Sequence, residues 1–159
     1  MISVLLLCLS ATAASTHDVA DVESASPVRA DDAPIGTRPS RDRLYFDVDE
    51  AGTVWVRGRT YKASFSKESA TYIPFLGSKA PRNFPVSLRV DSLTIGGEAF
   101  AFDAAAPAVR DGAIVEYARG AFRERYVLTP DSVEQTFVFD DLPRRGEVVV
   151  SLAVTSELE

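Results

Sequence analysis

The chain is nearly without the residues on which most reactive chemistry depends. Its 159 residues hold one cysteine, one histidine, one tryptophan and one methionine. Cys8 lies inside a short apolar run at the very start. If that run is removed on export, the mature protein has no disulfide, no thiol nucleophile and no thiolate metal ligand. His17 is the sole histidine and precedes every strand-patterned segment. A Ser-His-Asp triad, a Cys-His pair or a histidine-ligated zinc would need histidine in the folded part. Cationic charge is also short: 17 Lys and Arg against 23 Asp and Glu leave a formal charge of −6. Nucleic-acid binding requires clustered Lys and Arg to meet phosphates, so a nucleic-acid partner is not expected. The densest basic stretch, Arg119-Gly120-Ala121-Phe122-Arg123-Glu124-Arg125, mixes both signs and reads as a solvated strand face.

Long hydrophobic runs are missing too. Ile2, Val4 and Leu5-Leu6-Leu7-Cys8-Leu9 form the longest apolar stretch, well short of the ~20 residues a membrane-spanning helix needs. No transmembrane segment is expected. Ala11-Thr12-Ala13 then places small residues at the −3 and −1 positions of a cleavage site, although no Lys or Arg follows Met1. Residues 1–13 therefore read as a secretory signal peptide, and the expected location is secreted or at the cell surface. An exported chain free of disulfides is ordinary for a bacterium, whereas small eukaryotic extracellular domains more often carry them.

Residues 14–42 are rich in Ala, Asp, Ser and Pro, contain no Phe, Trp or Tyr, and show no periodicity. Such a segment buries too little apolar surface to offset its conformational entropy, and it reads as a disordered linker. From Leu44 the pattern becomes period two. Tyr61, Ala63 and Phe65 alternate with Lys62, Ser64 and Ser66, and Val86, Leu88 and Val90 with Ser87, Arg89 and Asp91. Gly96-Gly97 and Asp111-Gly112 mark tight turns. Val133, Gln135, Phe137 and Phe139 share one strand face, as do Val148, Val150, Leu152 and Val154. Residues 43–159 are thus expected to form one antiparallel β-sandwich, with a small open β-barrel as the alternative. Phe46, Trp55, Phe65, Leu88, Val90, Phe100, Phe102, Phe137, Phe139, Val150 and Leu152 are the expected core.

Four motifs bear on chemistry. Ser64-Phe65-Ser66-Lys67 matches the S-x-x-K of penicillin-recognising enzymes, but it lies in a strand-like run without the companion elements. Asp47-Val48-Asp49-Glu50-Ala51-Gly52 begins like a calcium loop, yet Ala51 and Gly58 stand where oxygen ligands are required. It reads as an acidic turn, and no metal or cofactor site is expected. Glu116, Glu124 and Glu134 could in principle supply paired carboxylates for a hydrolase; on strands they read as wet-face charges. Trp55, Tyr61 and Tyr72 are the aromatics on which a carbohydrate-binding module could stack sugar rings, although a lone Trp is more often a packing anchor.

The second half resembles a known family. Val115-Glu116-Tyr117, Glu124-Arg125-Tyr126, Val133-Glu134-Gln135-Thr136-Phe137-Val138-Phe139, Leu142-Pro143 and Gly146-Glu147-Val148-Val149-Val150 look like the β-rich N-terminal domain of large secreted bacterial surface proteins. In that family the domain precedes FG-GAP-type or other β-propeller repeats. The family usually has Gly where this chain has Ser132. The resemblance implies a domain without catalytic residues, with calcium sites confined to the repeats. The function expected is a non-catalytic structural or interaction module. Its partners would be downstream domains of the same polypeptide or a surface protein. A carbohydrate-binding module and a carboxylate-dependent hydrolase fragment are the alternatives.

Overall fold

The computed structural model describes residues 2–10, as a backbone path, and residues 43–157. The linker assigned to residues 14–42 and the cleavage residues Ala11, Thr12 and Ala13 lie outside the described residues. The strands are β1 (Ile2–Ser10), β2 (Tyr45–Val48), β3 (Val54–Arg57), β4 (Tyr61–Phe65), β5 (Ala70–Pro74) and β6 (Val86–Ile95). They continue with β7 (Glu98–Ala99), β8 (Ala108–Asp111), β9 (Ile114–Ala118), β10 (Arg123–Leu128), β11 (Ser132–Phe139) and β12 (Val148–Ser156). One sheet runs β1-β11-β10-β9-β8 and the other β12-β6-β5-β4-β3-β2, with β7 beside β6. All pairings are antiparallel. The protein is a β-sandwich, not a barrel.

Alternation fixes which side of each strand is dry. On β11, Val133, Gln135, Phe137 and Phe139 all point inward and are buried. On β4, Tyr61, Ala63 and Phe65 do the same. Two clusters fill the space between the sheets. Tyr61, Phe65, Tyr117, Tyr126 and Val133 anchor the first; Val90, Ile95, Phe122, Phe137 and Phe139 anchor the second. Rings interlock within both, as in Phe65 against Tyr126 at 4.9 Å and Phe122 against Phe139 at 5.5 Å.

The expected core is largely the observed one. Phe65, Leu88, Val90, Phe137 and Phe139 are buried, while Phe46, Phe100, Phe102, Val150 and Leu152 pack against the clusters partly covered. Trp55 is a correction. Val54 and Val56 take the inward positions of β3, so Trp55 between them must face outward, and it is only half-buried.

Val86, Leu88 and Val90 occupy even positions, whereas Leu93 and Ile95 occupy odd ones, although all five belong to the continuous strand β6. The reason is a bulge. Ser151 of β12 pairs with Ser92 but Leu152 with Val90, so Asp91 has no partner and the inward face changes parity there.

The β6–β7 hairpin turns at Gly96 and Gly97, whose φ of 60° and 81° are the positive pair a tight two-residue turn demands. At one end of the sandwich the β3–β4 turn clasps the β10–β11 turn. Arg59 N–H donates to the Pro130 carbonyl, Tyr61 Oη to the Thr129 carbonyl and Thr60 Oγ1 to the Asp131 carbonyl, and Arg59 forms an ion pair with Asp131. Gly58 permits this approach: a Cβ there would stand 2.6 Å from the Pro130 oxygen.

Candidate functional site

Two polar constellations stand out, one dry and one wet. The dry one is built by β9, β10, β11 and the loop after β9. Arg119 and Glu124 are 2% and 1% exposed. Arg119 Nε and Nη2 donate to Glu124 Oε2 at 2.9 and 2.7 Å, and Arg119 Nη1 donates to the carbonyls of Asp103 and Ala104. The other carboxylate oxygen, Oε1, accepts from Tyr126 Oη at 2.6 Å and from Gln135 Nε2 at 2.9 Å. The guanidinium also lies 4.6 Å from the Tyr117 ring centroid. Such satisfaction is what makes a buried ion pair tolerable. Sequence reasoning placed Arg119 and Glu124 on a solvated face, and that is corrected. Glu124 stands opposite Tyr117 and Phe137 across the sheet, and all three face inward.

This arrangement also separates Glu124 from Glu116 and Glu134, which lie on the outer face. Glu116 pairs with Arg125 on the outer face of the same sheet, at 2.9 Å, while Glu124 faces the core. The two cannot meet across one substrate.

Around this network the phenols are held protonated. Burial, reinforced by the Glu124 carboxylate, raises the pKa of Tyr117 and of Tyr126 above its ordinary value. Burial, with smaller contributions from Tyr72 and Asp131, does the same for Tyr61. A folded-state pKa above the unfolded value of about 10 gives stability that is complete below that pH. It is lost as the pH rises toward the folded value, because the unfolded chain releases protons the folded one keeps. The urea midpoint is therefore expected to be lower at about pH 11 than at about pH 8, with phenolate absorbance developing as the protein unfolds. A midpoint unchanged between those two values would contradict the burial of these rings.

The wet constellation lies on the outer face of the second sheet. Asp47 of β2 stands opposite Trp55 of β3, and Tyr45 opposite Arg57, which in turn faces Lys62 of β4. Together with Asp49 they line a shallow groove of about 300 Å³. Asp49 orders the turn: Oδ1 accepts from Ala51 N–H and Thr53 N–H, and Oδ2 accepts from the Trp55 indole Nε1 at 3.1 Å. These bonds, the one from Thr53 first, hold the Asp49 carboxyl below its ordinary pKa. Both oxygens are thereby engaged in closing the acidic turn. Lys62 Nζ sits over the indole, 4.2 Å from its centroid, within cation–π range.

Of the three aromatics named as stacking platforms, only Trp55 reaches the surface. Tyr61 and Tyr72 are 0% and 6% exposed and stack on each other in the core at 5.4 Å, where no ligand can reach them. Nothing in the local pattern marks Tyr45, Arg57 and Lys62 as neighbours of Trp55. Hairpin register alone brings them together, and the Asp49–Gly52 turn was the signal that could have fixed it. Among the described residues no cluster of His, Cys, Asp and Glu is arranged to hold a metal ion, and no helix is long and apolar enough to cross a membrane. Comparison of the chain with protein-family models, with curated proteins and with solved structures gives no match.

Proposed function

We propose that this chain is a non-catalytic β-sandwich module of a secreted or cell-surface bacterial protein, standing N-terminal to further domains of the same polypeptide. The observation that carries this reading is the dry network. The most reactive-looking groups, Arg119 and Glu124, are consumed in tying β10 and β11 to the β9–β10 turn and the loop before β8. Among the described residues, side chains fill much of the space between the sheets, and a void of about 10 Å³ lies beside Gln135, Tyr72 and Tyr126. The polar interior builds the fold, and the surface offered to a partner consists of sheet exteriors and edges. The test is the intact mass of the secreted protein from its native host. A mass well above that of residues 14–159, with these peptides inside it, is expected. A mass equal to that segment would overturn the module reading.

A second reading, carbohydrate binding, is favoured by the outward position of Trp55. A half-exposed indole beside two carboxylates, a guanidinium and an ammonium offers a ring for stacking and polar groups for hydroxyls. Affinity electrophoresis in gels containing soluble polysaccharides provides the test. Retardation lost in Trp55→Ala, with the thermal midpoint lowered only modestly, is the expected outcome for this reading. Equal mobility of both proteins in every polysaccharide would end it.

A further inference from the structure

Among the described residues most arginines form ion pairs, as Arg59 does with Asp131 and Arg125 with Glu116. Arg57 and Lys62 differ. They stand directly opposite each other on the outer face of β3 and β4, and neither has an acidic partner among the described residues. Like charges so placed destabilise a strand pair. Each has an aromatic ring beside it instead, Phe75 at 6.0 Å for Arg57 and the Trp55 indole at 4.2 Å for Lys62. Asp47 stands opposite Trp55, two residues along β3 from Arg57, a separation of roughly 7 Å. Its Oδ1 accepts from Val48 N–H, and its Oδ2 has no hydrogen bond among the described residues. The groove thus has its cations at one end and its acids at the other. The indole reaches between them, with Nε1 bonded to Asp49 and the ring under the Lys62 ammonium.

We infer that the groove binds a uronate residue of an acidic polysaccharide, its carboxylate held by Arg57 and Lys62, its ring on the Trp55 indole and its far hydroxyls donating to Asp47. The inference rests on the carbohydrate reading of this groove and names the class of sugar. A hexuronate carries its charge on the C5 substituent and its vicinal hydroxyls across the ring, the same order as the cations and acids of the groove. The reverse orientation would set carboxylate against carboxylates. Lys62 supplies the selectivity. A neutral sugar stacking where the ammonium lies must displace it and brings no charge to replace the contact. A uronate exchanges the cation–π contact for a charge-assisted hydrogen bond, the stronger of the two at an exposed site. It also relieves the repulsion between Arg57 and Lys62. The formal charge of −6 opposes a polyanion, so binding depends on this local pair and not on the field of the whole chain.

The chain holds one tryptophan, so indole fluorescence of the full chain reads this site alone. Titration with trigalacturonate and with trimannuronate is expected to give, for at least one of them, a saturable change in emission as the ammonium leaves the ring. Added salt should weaken it. Maltotriose and cellotriose should leave the emission unchanged. Lys62→Gln and Arg57→Gln should each weaken uronate binding about tenfold, the worth of one charge-assisted hydrogen bond, while Lys62→Arg retains it. Lys67→Gln removes an exposed charge from the β4–β5 turn and should bind as wild type does. Flat titrations with both uronates, an equal response to a sulfated trisaccharide, or an affinity unchanged in both Gln variants of the groove would each overturn the inference. A response to the neutral sugars alone, lost in Trp55→Ala, would overturn it and leave the carbohydrate reading standing, so the two fail separately.

Discussion

Glu124→Ala is expected to destabilise the domain by about 3–5 kcal/mol, the cost of stranding one partner of a buried ion pair. The variant leaves the Arg119 guanidinium 2% exposed in its wild-type setting, with only the carbonyls of Asp103 and Ala104 and the Tyr117 ring for company. It also takes the acceptor from Tyr126 Oη and one acceptor from Gln135 Nε2. A domain of this size is stable by about 5–15 kcal/mol, so the loss is a large share of the total. The double variant Arg119→Met/Glu124→Leu should recover much of it, because an apolar pair of similar volume avoids the stranded charge. Urea unfolding of the three proteins is the measurement. A Glu124→Ala loss below about 1 kcal/mol, the scale of a surface change, would show that water reaches this network.

Phe137→Ala is expected to cost about 3–5 kcal/mol by a different route, loss of apolar burial plus the cavity left behind. Phe137 is 2% exposed at the centre of the second cluster and meets Phe122 edge-on at 5.8 Å. Phe122 also contacts Phe139 and Phe102, so one truncation loosens a ring group drawn from β11, the turn before β10 and the loop before β8. The neighbouring Thr136 lies opposite Arg125 on the outer face, and Thr136→Ala should fall within about 0.5 kcal/mol of wild type. The contrast between adjacent residues is the test. Equal losses at both positions would mean that β11 is not dry on one side only.

The fold was legible wherever the period of two ran unbroken and failed wherever a neighbour in space overrode the local pattern. β4 and β11 gave their inward faces directly, since Tyr61, Ala63 and Phe65, and Val133 to Phe139, alternate without interruption. Trp55 was misplaced because hydrophobicity was weighed above phase: two small valines claim the inward positions of β3 and leave the large ring outside. Arg119 and Glu124 were misread for the opposite reason. Their charge argued for solvent, while the phase of β10, shared with Tyr126 and Leu128, argued for the core. A charge enters a core only with a partner, and that partner lies beyond a turn at Gly120 that spacing alone does not close. The outer groove was legible only as a turn and a tryptophan, because Tyr45, Arg57 and Lys62 meet through register and not through sequence proximity.

The pairing of β12 with β6 has a consequence for how the chain reaches this state. β2 to β6 form a run of sequential hairpins, as do β8 to β11, so both sheets can begin to form from near-neighbour contacts. The β12–β6 ladder instead joins Val148 to Ile95 and Ser156 to Val86, and contacts of that separation close slowly. Among the described strands, the one completing the second sheet is also synthesised after all the others. Until it arrives, one whole edge of β6 is open, and the nascent domain is most prone to mispairing in that interval.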